Sequence, residues 1–186
     1  MGKAYKNFWS LNTDEAVVVG ILRGSTPKNI EVFMPVNAQM KGVDLVLMNM
    51  ENKKTLTIQV KGSRAYEPKK SETVKYGDGS AGWFYFSSDV IHNSSADYFV
   101  FLVYVIEENK KAGRRIIYPH TITMPAKELK LLCHKYKTLG SGRMYNFFVW
   151  INHHKKEAFD FKDTKYSLSE FLDDEGFKKI NKLLSK

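Results

Sequence analysis

The sequence predicts an α/β domain: a mixed β-sheet flanked by helices. Three observations carry this. Apolar runs of strand length, bounded by turn residues, alternate with stretches of helical pattern and recognisable caps. The longest apolar run, around Tyr98–Ile106, has the length of a strand and falls short of a membrane span, so no membrane partner is expected. At 186 residues and 43% hydrophobic, the chain can bury a sizeable core and is read as one domain, which argues against disorder.

Charge narrows the partner class. The net charge is +9, from 29 Lys and Arg against 20 Asp and Glu, which favours polyanions and nucleic acid first. A single cysteine, Cys133, excludes an internal disulfide and any Cys-based zinc site and reads as a core thiol; this fits a cytoplasmic location. The first residues, MGKAYKNFWSLNTDE, carry no apolar core of a signal peptide, and Gly2 lacks the Ser or Thr of a myristoylation site.

The elements follow in order. Residues 1–9 read as a basic arm with Phe8 and Trp9. Thr13 is a helix N-cap with Asp14 and Glu15 in the first turn, and the helix runs to about Arg23 with Val17, Val18, Ile21 and Leu22 inward. Strands are expected at 29–36, 43–50 and 55–62, the last two joined by the polar turn Glu51–Lys54 and apolar enough on both faces to be central. Residues 63–82, rich in Gly and mixed charge, predict a surface loop. A short aromatic strand at Trp83–Phe86, a brief helix from Ser87 or Ser88 through His92, a strand at 97–106, a turn at Glu107–Gly113 and a strand at Arg114–Tyr118 come next. Pro125–Lys137 reads as a helix with Leu129, Leu132, Cys133 and Tyr136 inward. Gly140–Gly142 is a turn, Met144–Asn152 a strand paired by Glu157–Phe161, and Ser167–Leu184 a final helix with Ser167 and Glu170 as a capping box.

Three polar side chains interrupt the apolar strand pair: Asp44, Gln59 and Lys61. Gln59 and Lys61 are two apart and share a strand face. If the strands pair, Asp44 at the start of one falls beside the end of the other. A hard cation such as Mg²⁺ takes oxygen ligands. Asp44 offers a carboxylate, Gln59 an amide oxygen, Val60 a backbone carbonyl, and Glu15 on the preceding helix a second carboxylate. Lys61 beside such an ion can orient or deprotonate a water, or neutralise charge on a phosphate.

Asp44, fourteen residues (45–58), then Gln59-Val60-Lys61 resembles the PD-(D/E)XK nuclease superfamily, with its restriction-endonuclease-like fold. That group includes restriction endonucleases and archaeal Holliday junction resolvases. The resemblance covers about residues 10–106, through the order helix, three-strand meander, helix, strand; residues 107–186 would be a C-terminal strand and helix extension of the same domain. It implies a Mg²⁺- or Mn²⁺-dependent endonuclease acting on DNA, with Asp44 as metal ligand, Gln59 in the second acidic position, Lys61 as catalytic lysine and Glu15 as the helix-borne acid. Val43 stands where the name-giving proline would be, and Gln59 supplies one negative charge fewer than the usual Glu or Asp. The alternatives are a module of the same fold that binds nucleic acid without cutting it, and an interaction subunit of a defence or mobile-element system. Cutting both strands favours a homodimer.

Candidate nucleic-acid contacts are Arg64, Lys69 and Lys70; Lys110, Lys111, Arg114 and Arg115; Lys135, Lys137 and Arg143; and Lys155 and Lys156. Trp9, Tyr66, Tyr76 and Trp83 are candidates for stacking on unpaired bases. His153 and His154 read as a solvated basic turn: on a strand, adjacent residues face apart and cannot share an ion, whereas in a turn they can. His120 has no acid at a telling spacing, and His92 and His134 are equally unsupported.

Overall fold

The structure, a computed structural model, describes residues 13–35, 42–64, 66–109, 113–136, 144–161 and 166–186. The basic arm, the Gly140–Gly142 turn, Lys110, Lys111, Lys137 and Arg143 lie outside these residues. In chain order the elements are α1 (Thr13–Ser25), β1 (Ile30–Phe33), β2 (Leu45–Asn49), β3 (Thr55–Gly62), α2 (Lys70–Tyr76), β4 (Ser80–Ser87), α3 (Ser88–His92), β5 (Tyr98–Asn109), β6 (Arg114–Pro125), α4 (Ala126–Tyr136), β7 (Met144–Asn152), β8 (Glu157–Asp160) and α5 (Asp173–Ser185), with a 3-10 turn at Ser169–Phe171.

Strands β1, β2 and β3 form an antiparallel meander, β3 pairs in parallel with β5, and β5 pairs antiparallel with β6. The resulting mixed sheet has the order β1-β2-β3-β5-β6. The α/β class and the mixed sheet are therefore as expected. The parallel β3–β5 pair needs a crossover, and α2, β4 and α3 provide it. Within that crossover β4 leaves the sheet and pairs with β7, which pairs with β8, giving a second, antiparallel sheet.

Alternation along β5 explains the layering. Tyr98, Val100 and Leu102 face Val18 and Leu22 of α1 and Phe177, Ile180 and Leu184 of α5. Phe99, Phe101, Val103 and Val105 face Phe84, Phe86, Phe147 and Val149 of the second sheet together with Leu129, Leu132 and Cys133 of α4. Helices α1 and α5 thus cover one face of the large sheet, while a second sheet with α3 and α4 covers the other. The expectation of helices flanking the sheet holds in full for the first face only.

Several element boundaries differ from the sequence reading, each for a packing reason. Residues 63–82 are not one loop: they hold α2 and the start of β4. Ser80–Gly82 read as loop residues because Gly is rare in strands, yet Gly82 lies where β4 crosses β5, and a Cβ there would sit 2.6 Å from Val103 Cγ2. Strand β6 runs past Tyr118 to Pro125 because it stays in register with β5 along its whole length. The turn before it is correspondingly shorter than residues 107–113, since β5 continues to Asn109. The terminal helix starts at Asp173 rather than Ser167, because buried Phe171 and Leu172 precede it and Leu172 forms a β-bridge with Ile122. Its first turn still carries Asp173, Asp174 and Glu175, where the helix dipole favours acids.

Helix α1 is held against the sheet at its start. Tyr104 on β5 donates to Asp14 Oδ1 at 2.9 Å, and burial together with that bond pushes the Tyr104 hydroxyl up to about 12. The Asp14 carboxylate lies directly over Gly62, where a Cβ would meet Oδ2 at 1.8 Å. At its other end, Asn181 Nδ2 of α5 donates to Ser25 O at 3.0 Å. Helix α5 is in turn capped by the β2–β3 hairpin, since Asn49 and Asn52 both donate to Leu184 O, at 2.9 and 2.8 Å. The residue pair Asp14–Gly62 is the tightest of these contacts. Gly62→Ala is expected to lower stability by about 1–3 kcal/mol through overpacking, read from the urea midpoint. An unchanged midpoint would show that α1 does not lie this close to β3.

Candidate active site at the end of strand β3

The edge where β2 ends and β3 continues is open, and Asp44 closes it. Leu45 is the first residue of β2 and pairs with Ile58. Asp44, one residue earlier, donates its N–H to Ile58 O at 2.8 Å, and its Oδ2 accepts from the Val60 N–H at 2.8 Å. The carboxylate thus takes the place that the next ladder carbonyl would have filled. Within a strand residue the N–H and C=O point to the same edge. The Val60 carbonyl therefore faces the side on which Asp44 lies, beyond the end of β2, where no strand among the described residues pairs with it. The sequence expectation that Asp44 falls beside the end of β3 holds.

Lys61 is half-buried. Burial holds its ammonium below the usual lysine range, opposed by attraction to Asp44 and to Glu15. Glu15 is itself buried, at 5% exposed, on the first turn of α1. The contact of Asp14 with Gly62 and Tyr104 anchors that turn beside β3. Asp44 and Glu15 thus both act electrostatically on Lys61.

Gln59 has a different setting. It is 7% exposed, and its Oε1 accepts from Ser94 Oγ at 3.1 Å. It lines a cavity of about 420 Å³ with Gly42, Ser94 and Asp89. Ser94 and Asp89 carry no motif in the sequence; the fold brings Ser94 into contact with Gln59 and Asp89 to the same cavity. Neither would be found without the fold.

The basic candidates divide. Arg64, Lys69, Lys70, Arg114, Lys135, Lys155 and Lys156 are exposed. Arg115 is also exposed but paired with Glu67, each of two nitrogens lying 3.3 Å from a carboxylate oxygen. Lys70 shares a cavity with His153 and His154, so the start of α2 and the β7–β8 turn lie on one side of the molecule. Of the aromatic candidates, Trp83 is exposed and stacked on Phe148, Tyr76 packs against Trp150, Phe159 and Phe161, and Tyr66 hydrogen-bonds Glu72. Trp83 is the one that offers a free ring face of any size.

The histidines depart most from the sequence reading. His153 and His154 do occupy a turn, but His153 is 16% exposed rather than solvated, and both approach Glu107. His120 has an acid partner 53 residues away, Asp173 Oδ2 at 2.8 Å from its Nδ1. Spacing along the chain could not show either pairing.

Comparison with protein-family models, with curated proteins and with solved structures gives no match to this chain. No helix among the described residues is long and apolar enough to cross a membrane.

The depressed Lys61 sets a pH dependence. Its folded pKa lies below 10.5, so between the two values the unfolded chain holds more protons and stability rises with pH. The contribution is present above the unfolded pKa and is lost as pH falls through the folded one. Urea unfolding of the wild type and Lys61→Met between neutral pH and pH 10.5 isolates this group, because the other titrating residues are common to both. The wild type is expected to gain stability relative to the variant as pH rises. A difference that stays constant would mean that Lys61 is solvated in the fold.

Proposed function

We propose that this chain is a metal-dependent nuclease acting on DNA, with a restriction-endonuclease-like arrangement of α1, β1, β2, β3 and β5. The observation that supports this most strongly is the convergence at the open end of β3. There Asp44 is locked to the Val60 N–H, with Val60 O on the same side and Lys61 in the field of Asp44 and Glu15. The order α1, antiparallel meander, parallel strand follows the order that the resemblance calls for, with strand β4 added to the helices of the crossover.

The oxygen set suits a hard divalent cation. Asp44 keeps its Oδ1 without a hydrogen-bond partner among the described residues, and Val60 offers its carbonyl. Bound there, Mg²⁺ or Mn²⁺ would supply charge stabilisation at the phosphate and a more acidic water. The chain's own residues do the rest. Asp44 and Glu15 keep the site anionic, and Lys61, its ammonium already disfavoured by burial, exchanges a proton with the attacking water or faces the charge developing on the phosphoryl oxygens. On this reading Arg64, three residues beyond Lys61, and the exposed Lys69, Lys70, Lys155 and Lys156 contact the backbone of a nucleic acid.

The test is cleavage of plasmid and of linear duplex DNA with Mg²⁺ or Mn²⁺. Wild type is expected to cut, with Asp44→Ala and Lys61→Ala each slower by about 100-fold or more. Equal background from all three would end the catalytic reading. Gln59→Glu restores a carboxylate and is expected to tighten Mg²⁺ binding by about tenfold, roughly 1.4 kcal/mol, measured by calorimetry.

A second reading has its own observation. The Gln59 oxygen is buried and already accepts from Ser94, which removes it from easy use as a ligand. On this reading the chain binds nucleic acid without cutting it. Binding that weakens steeply with salt, with no cleavage and no Mg²⁺ uptake, would favour it.

A further inference from the structure

Strand β5 and the β7–β8 turn bring together a second group of donors that shares no residue with the Asp44 site. The ligand atoms of Glu107, His153 and His154 all lie within 4.8 Å of one another, the one such His, Cys, Asp or Glu triad among the described residues. His154 Nε2 is 2.9 Å from Glu107 Oε1, and His153 Nε2 contacts the same oxygen. The two imidazole rings are 4.0 Å apart, centroid to centroid. Adjacent strand residues could not do this; residues 153–156 form a turn, which brings both rings to one side. Glu107 and His153 are largely buried, and all three side chains line a cavity of about 980 Å³.

Two further details fit a cation. His120 lies 5.5 Å from His153, ring to ring, and its Nδ1 is fixed by Asp173. A neutral His120 with its proton on Nδ1, toward Asp173, has an acceptor at Nε2, and that atom is buried with no partner. A buried orphan of this kind costs about 1–3 kcal/mol. A water carried by a neighbouring cation is the fitting donor for it.

We propose that Glu107, His153 and His154 bind a borderline divalent cation, Zn²⁺ by preference. Two imidazole nitrogens and one carboxylate oxygen are the donor set of a three-ligand zinc site, which leaves a coordination position for water. Here that position opens toward the cavity. The ion joins β5 of the large sheet to the β7–β8 turn of the small one, so it acts as a clasp between the two sheets. The donor set is softer than the all-oxygen set at Asp44, so the two sites select different ions.

The test uses the untagged full chain stripped of metal by chelator. Zn²⁺ is titrated by calorimetry, Co²⁺ by visible absorption, and thermal unfolding is followed with and without Zn²⁺. One Zn²⁺ per chain, a tetrahedral-type Co²⁺ spectrum and a rise in Tm of several degrees are expected. His154→Ala, whose ring is exposed and whose loss the fold should tolerate, and Glu107→Gln are each expected to weaken Zn²⁺ about tenfold or more. Asp44→Asn is expected to keep this equivalent, which separates the site from the proposed nuclease centre. No stoichiometric uptake by the wild type, or uptake unchanged in both His154→Ala and Glu107→Gln, overturns the proposal.

Discussion

Strand β5 has no side that meets water along its first half, and the rest of the fold is arranged to satisfy that. Residues Tyr98–Val103 are all under 5% exposed. Such a strand needs a partner at each edge and a layer on each face. β3 and β6 take the edges, α1 and α5 take one face, and β4, β7 and α4 take the other. Removing a ring such as Phe101 from the centre of this stack would cost roughly 3–5 kcal/mol. The two apolar clusters are separate in space but joined through this one strand, so the layers stand or fall together.

The candidate site exists because the sheet stops being regular beside that strand. β3 runs on past the end of β2, and Val60 is left with backbone groups facing a gap. Asp44 satisfies the N–H from within the gap, which fixes the carboxylate by a bond to the main chain rather than by side-chain packing. The same extension carries Lys61 into a half-buried position, where Asp44 and Glu15 act on its charge. Strand, carboxylate and lysine are thus consequences of a single offset in strand length. α1 completes the group only because Gly62 has no side chain and lets Asp14 settle over β3.

Much of this was legible in the sequence, and the parts that were not share a cause. The β2–β3 hairpin, α1, α3 and β7 declare themselves locally, through caps, turn residues and apolar periodicity. Asp44, Gln59 and Lys61 stood out because they are polar in apolar strands. The start of β4 did not, because Ser80 and Gly82 are chosen by what they touch on β5 rather than by strand propensity. The onset of α5 was read too early because Ser167 and Glu170 mimic a capping box, while Leu172 is drawn into a bridge with Ile122. The adjacent His153 and His154 stood out, but their partner Glu107 was invisible for the same reason as the His120–Asp173 pair: each joins residues about fifty positions apart.

The Asn49 and Asn52 contacts to Leu184 have a consequence for how the chain is made. The tip of an early hairpin is the seat for a late helix, and that helix supplies half of the cover over one sheet face. A nascent chain that has synthesised β1 to β6 owns every strand of its first sheet but not all of the side chains that hide Leu47, Ile58 and Val100 from water. Until residues 173–185 emerge, that face is an open apolar surface. Folding of the helical side then waits on those residues, with the long-range closure setting its pace. During synthesis, the molecule depends on whatever shields bare sheets in the cell.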